Sequence, residues 1–187
     1  IEYFMQNLFI IFAGLAVGLG LTIVQISNAP SYLSDEPTAC INCHIMTPQY
    51  ATWQHSSHRE WTNCNDCHVP HNNIVRKYFF KASDGLRHAS MFTLRLEPQE
   101  IQIKEAGKTV VQENCIRCHV NQLNPVSAIN VTGHNYTLGE GNLCWDCHRE
   151  VPHGRVNSLA STPNAIVPGL SPALPNWLEK TIKQKKQ

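Results

Sequence analysis

No charged residue lies between Glu2 and Asp35, and the stretch from about Leu8 to Ile26 is strongly apolar. At about 1.5 Å of rise per helical residue, this segment and a few flanking residues span the roughly 30 Å hydrocarbon layer of a bilayer. A cleaved signal is the alternative, because Ser27-Asn28-Ala29 has the small-x-small form of a cleavage site. Pro30 follows directly and is a poor residue just after a scissile bond, so the pattern favours an uncleaved anchor. Gly14, Gly18 and Gly20 could mark a contact with another helix, but glycine is common in membrane helices and the plain reading carries more weight.

Beyond the anchor the apolar positions are sparser. Tyr78 to about Leu96 reads as a helix that Pro98 would stop, and Ile101 to Gln112 as a second. The tail carries Pro163, Pro168, Pro172 and Pro175, then Lys180, Lys183, Lys185 and Lys186, and reads as an extended arm.

Between these segments lie four copies of Cys-x-x-Cys-His: Cys40 to His44, Cys64 to His68, Cys115 to His119 and Cys144 to His148. This pentapeptide is the attachment signal for c-type haem. Its two thiols, here Cys40 and Cys43, Cys64 and Cys67, Cys115 and Cys118, and Cys144 and Cys147, form thioethers to the porphyrin, and the adjacent His reaches the iron. All eight cysteines belong to the motifs, so none is left for a disulfide. A pair of four-cysteine zinc sites would use the same spacing. It does not explain a His after the second Cys in all four copies.

The chain has 187 residues, about forty-seven for each of four haems. So short a segment cannot enclose its cofactor in a conventional core. The expected fold is mainly α with extensive loops and little or no β: one N-terminal transmembrane helix and a domain packed on its haems. Net charge is +1, which argues against nucleic acid as a partner. Covalent haem attachment takes place outside the bacterial cytoplasm. The expectation is therefore a single-pass protein of the cytoplasmic membrane with its haems on the periplasmic side.

The spacings between first cysteines are 24, 51 and 29 residues, two close pairs across a longer gap. The second motif of each pair has a His upstream, His58 or His134, and Val-Pro-His downstream, ending at His71 or His153. This suggests a duplicated two-haem unit. The expected organisation is an anchor over 1–28, a haem domain over 29–154 made of units 29–80 and 81–154, and a tail over 155–187.

Four irons offer up to eight axial positions, and ten histidines are present. His44, His68, His119 and His148 come from the motifs. His58, His134 and His153 are the best distal candidates, ahead of His55 and His71. Met46 follows the first motif, and thioether sulfur is also a haem ligand. The residues alone favour His44 for that iron.

The lone anchor, Cys40-x-x-Cys43-His44-x-Met46, Gln54-His55-Ser56-Ser57-His58, Lys81-Ala82-Ser83-Asp84-Gly85 and Val151-Pro152-His153-Gly154 together resemble the NapC/NirT family of membrane-anchored multihaem quinol dehydrogenases. The resemblance covers about residues 8–154. It implies Met46 rather than His44 on a five-coordinate first haem at the membrane surface. It implies a quinol site using a lysine and an acid, here Lys81 and Asp84. In part of the family the acid lies about seven residues after the lysine, where this chain has His88. It further implies menaquinol as electron donor and, as partner, a periplasmic multihaem cytochrome c nitrite reductase that gives the second haem a lysine ligand. Nitrite reduction to ammonium would then be the partner's reaction. Quinol dehydrogenation for a different periplasmic reductase, or passive electron carriage from another cytochrome, are the alternatives.

Overall fold

The computed structural model describes residues 2–98, 100–123, 131–154, 159–169, 174 and 176–184. Among the described residues eight helices run in chain order: α1 Glu2–Ile26, α2 Thr47–Gln54, α3 Cys64–His68, α4 Ile74–Thr93, α5 Glu105–His119, α6 Gly133–Thr137, α7 Cys144–Cys147 and α8 Asn176–Gln184. Short 3-10 turns cover Ala29–Leu33, Pro37–Asn42, His44–Met46 and Leu159–Ser161. No strand occurs among the described residues, which matches the expected helical, loop-rich class.

The chain forms two compact units, Ile1–Asn42 with Pro168–Gln187, and Cys43–Val167. This division differs from the three segments expected from the sequence. The boundary falls after Asn42 rather than near residue 28, and part of the tail groups with the anchor.

In the first unit, α1 has 25 residues, none of them buried. At 1.5 Å per residue it is about 37 Å long, enough to cross a bilayer. Its hydroxyls turn back onto the backbone: Thr22 Oγ1 donates to the Gly18 carbonyl at 2.8 Å and Ser27 Oγ to the Val24 carbonyl at 3.2 Å. That is the internal satisfaction hydrocarbon demands. Asn28, at φ 51°, ends the helix in the left-handed region that asparagine tolerates. Its Nδ2 donates to Asn42 Oδ1 at 3.1 Å, and Asn42 Nδ2 donates to Ser31 Oγ at 2.9 Å. The tail holds a helix, α8, where an extended arm is expected. Glu179 and Lys183 pair at 2.7 Å one turn apart, and Leu178 and Ile182 repeat at the same spacing.

In the second unit, two sequence-expected helices appear with shifted ends. Helix α4 starts at Ile74, four residues before the expected Tyr78, because Asn73 Oδ1 accepts the N–H groups of Val75 at 2.7 Å and Arg76 at 3.3 Å. Helix α5 begins at Glu105 and runs on to His119, because the third Cys-x-x-Cys-His itself takes helical form as the last turn. The described residues of the whole chain bury few apolar side chains, among them Tyr50, Trp53, Val69, Val110 and Leu143. That is a small core for such a chain, in keeping with organisation by covalent attachment and ligation.

Candidate functional site

The haem motifs are built on short helical turns. In α3, Asp66 Oδ2 accepts the Asn63 N–H at 2.8 Å while the Asp66 N–H donates to Asn63 Oδ1 at 3.1 Å. Asp146 does the same for α7: its carboxylate accepts the Leu143 N–H at 2.7 Å, and its N–H donates to the Leu143 carbonyl at 2.9 Å. A helical turn sets the two cysteines three residues apart on one side and the histidine one step on. The aspartate shared by the second and fourth motifs is a repeat signal that the sequence reading passed over.

Helix α5 binds these turns together. Asn114, 4% exposed, donates through Nδ2 to the carbonyls of Cys67 at 2.9 Å and Val69 at 2.8 Å. Two residues earlier Gln112, 1% exposed, accepts the Cys144 N–H on Oε1 at 3.0 Å. Arg117 adds bonds from Nε to Asn114 Oδ1 at 3.2 Å and from its guanidinium to the Asp66 carbonyl at 3.1 Å. The third motif thus holds the second and the fourth. Gly133 lets α6 close on α5, since a Cβ there would meet the Glu105 carbonyl oxygen at 2.2 Å.

All eight thiols are free of disulfides. Burial pushes the Cys115 thiol up to about 12, with Cys144 and Cys67 adding to the effect, and burial with the neighbouring Asp66 raises Cys67. The thiols of Cys115, Cys144 and Cys67 are thus close enough to act on one another. Among the described residues no three Cys, His, Asp or Glu side chains gather as a metal site.

The imidazoles behave differently. The rings of His58 and His119 have centroids 6.2 Å apart, and so do those of His68 and His153. Two imidazoles that bind one metal from opposite sides, at about 2 Å per bond, have ring centres roughly 6 Å apart. His153 Nδ1 lies 3.1 Å from Thr52 Oγ1, so Nε2 is the nitrogen that could bind a metal. Burial lowers His153 to about 4, the neighbouring His68 adds to this, and a backbone hydrogen bond with Gln49 opposes it. The ring is therefore neutral at pH 7, as a metal ligand must be. His68 keeps a solvent-exposed edge. Even so, the surrounding protein lowers it by desolvation, with Asp84 pulling it up and His88 pushing it down.

His134 stands apart from the other two expected distal residues. Its ring is 71% exposed, and Nδ1 is 3.3 Å from Glu105 Oε1. Among the described residues the histidine ring contacts are the two pairs just given, so neither His134 nor another imidazole faces His148. His153 of this chain stands opposite His68. His71 supports α3 instead, its Nε2 3.1 Å from the Asn65 carbonyl. His44 and Met46 sit at the two ends of one 3-10 turn, His44 exposed and Met46 half-buried.

Lys81, Asp84 and His88 share one face of α4, at steps of three and four residues. Asp84 lies 3.6 Å from His88 Nε2 and 3.7 Å from Arg87 Nε. Arg87 is a member of this cluster that spacing alone did not single out. It sits 3.5 Å from His88 Nε2.

The model of the NapC/NirT cytochrome c family, N-terminal region, matches residues 2–158. The chain belongs to that family. Like other NapC/NirT cytochromes it is a c-type cytochrome, and its paired thiols and facing imidazoles fit haem c. It is 45% identical over 168 residues to the cytochrome c-type protein NrfH of Wolinella succinogenes, covering 88% of this chain and 94% of that one. It is 35% identical to the cytochrome c nitrite reductase subunit NrfH of Nitratidesulfovibrio vulgaris, covering 68% and 74%. A chain in the crystal structure of the cytochrome c nitrite reductase NrfHA complex bound to the HQNO inhibitor is similar at TM-score 0.55 and 30% identity, over 86% of this chain and 99% of that one.

Proposed function

We propose that this NapC/NirT cytochrome is a membrane-anchored menaquinol dehydrogenase that passes electrons through four haems to a periplasmic cytochrome c nitrite reductase, which reduces nitrite to ammonium. The observation that carries the reading is the likeness to a chain of the NrfHA complex, nearly complete on that chain's side. The apolar α1 supports anchoring, with the haem-bearing unit outside the cytoplasm.

The haems, when bound, supply a series of one-electron carriers. The thioether pairs are Cys40 and Cys43, Cys64 and Cys67, Cys115 and Cys118, and Cys144 and Cys147. His58 and His119 would hold the third iron, and His68, with His153 of this chain or a lysine of the partner subunit, the second. Met46 would hold the first iron, with His44 beside it. His148 would hold the fourth.

Quinol oxidation releases two protons, and the residues that move them need to be within hydrogen-bond reach of the quinol hydroxyls. Asp84 and His88 accept protons, and Lys81 holds a quinone oxygen. Arg87 steadies the Asp84 carboxylate.

The test is anaerobic mixing of the detergent-solubilised, haem-loaded chain with a reduced menaquinol analogue while haem absorbance is followed, with and without HQNO. HQNO-sensitive reduction is expected. No reduction by quinol in a sample that dithionite reduces fully would sink the proposal in favour of a passive carrier.

A further inference from the structure

Helix α4 is amphipathic in the inverted sense. Its polar side faces the haem-bearing unit. Arg76 forks onto Glu113 of α5 at 2.7 and 3.0 Å. Arg76, Lys77, Lys81, Asp84 and Arg87 are half-buried. At 3.6 residues per turn, Ile74, Val75, Tyr78, Phe79, Leu86 and Phe92 fall on the other side. No residue of α4 is buried, and Val75, Phe79 and Leu86 are 73%, 73% and 71% exposed. Because the charged side is the one turned toward the protein, the apolar side points away from it. A helix on an ordinary soluble surface is arranged the other way round.

We propose that the apolar side of α4 lies in the lipid headgroup region of the bilayer, as an in-plane helix. An apolar stripe with aromatic residues, backed by Arg76, Lys77, Lys81 and Arg87 against the single acid Asp84, is the pattern of an interfacial helix and suits anionic lipid. The tether allows it. Residues 27–42 separate the end of α1 from Cys43, a reach of at most about 55 Å if fully extended. Two 3-10 turns at about 2 Å per residue shorten that considerably. The inference rests on the proposed function in one respect: it sets Lys81, Asp84 and His88 at the depth where a lipid-soluble quinol presents its headgroup.

The test is photocrosslinking in proteoliposomes of phosphatidylethanolamine and phosphatidylglycerol. Photoreactive benzoylphenylalanine replaces Phe79 or Leu86 in the full haem-loaded chain, with Phe12 of α1 as the lipid-reaching control. Lipid-mass adducts on the α4 peptide at both positions are expected. Adducts at Phe12 alone, or α4 adducts only to protein, would overturn membrane docking, the latter in favour of a protein partner on this face. The crosslink reads position and not catalysis. Lipid adducts together with failed quinol-driven reduction would therefore count against the proposed function and leave the docking standing.

Discussion

Thr52 Oγ1 lies 3.1 Å from Nδ1 of His153, across 101 residues of sequence. The contact ties α2 to the loop after the fourth motif and fixes the His153 ring, whose centre is 6.2 Å from that of His68. Thr52→Val removes the partner at nearly constant volume. Outer-shell partners of metal-bound histidine are worth about 10–100-fold in affinity. The expected result is a population of the His68 haem that turns high-spin and binds carbon monoxide when reduced, with Thr52→Ser restoring the parent spectrum. A Thr52→Val spectrum identical to the parent at every pH would show that the contact has no role in ligation.

The two ring pairs predict which histidines matter to the irons. His58→Ala and His153→Ala should each convert one haem from six-coordinate low-spin to high-spin, seen by electron paramagnetic resonance. His134→Ala should not, because its ring meets Glu105. A high-spin signal in His134→Ala would place it on an iron after all.

The attachment sites and the anchor are legible in the sequence because each is local: five residues in a row, or one long apolar run. His58 and His153 were picked out from their repeated context. Which rings come together is not legible, because His58 meets His119 and His68 meets His153 only after the chain has folded back. Gln112 and Asn114 look like ordinary polar helix positions, and their burial against the second and fourth motifs is a tertiary property. Helix α4 is readable as a helix, but periodicity does not say which side faces the protein.

Asn114 caps two carbonyls, those of Cys67 and Val69. Asn114→Leu keeps the volume and leaves both without that donor. The expected loss is about 1–3 kcal/mol, measured by guanidinium denaturation of the holoprotein. Gln112→Leu should act on the fourth motif instead. Intact-mass spectrometry should show more chains short of a full haem complement in either variant.

The phenol of Tyr136 donates to Asp146 Oδ1 at 3.3 Å, and the Asp146 charge, ahead of burial, raises its pKa above the usual value near 10. A phenol raised in the folded state loses its proton first in the unfolded chain. Its contribution is therefore fully present below pH 10 and fades as the pH rises past that value. Asp146→Asn should return the phenol to its ordinary range, measured by alkaline difference absorbance against Tyr136→Phe. A titration unchanged by Asp146→Asn would show that the carboxylate does not control it.

The cluster on α4 makes the last prediction. Asp84 is shared between Arg87 and His88, so its readiness to take a proton depends on both. Arg87→Ala removes a permanent cation from beside the carboxylate. His88→Ala leaves Arg87 in place and removes the second acceptor. If the cluster handles quinol protons, each substitution should lower the rate of quinol-driven haem reduction and change its pH profile. Asp84→Asn should cost on the order of 10²-fold in rate, the usual scale for a positioned base. Dithionite reduction is the control for intact haems in every variant. A pH profile that none of the three substitutions alters would remove α4 from the chemistry and leave it with the membrane contact alone.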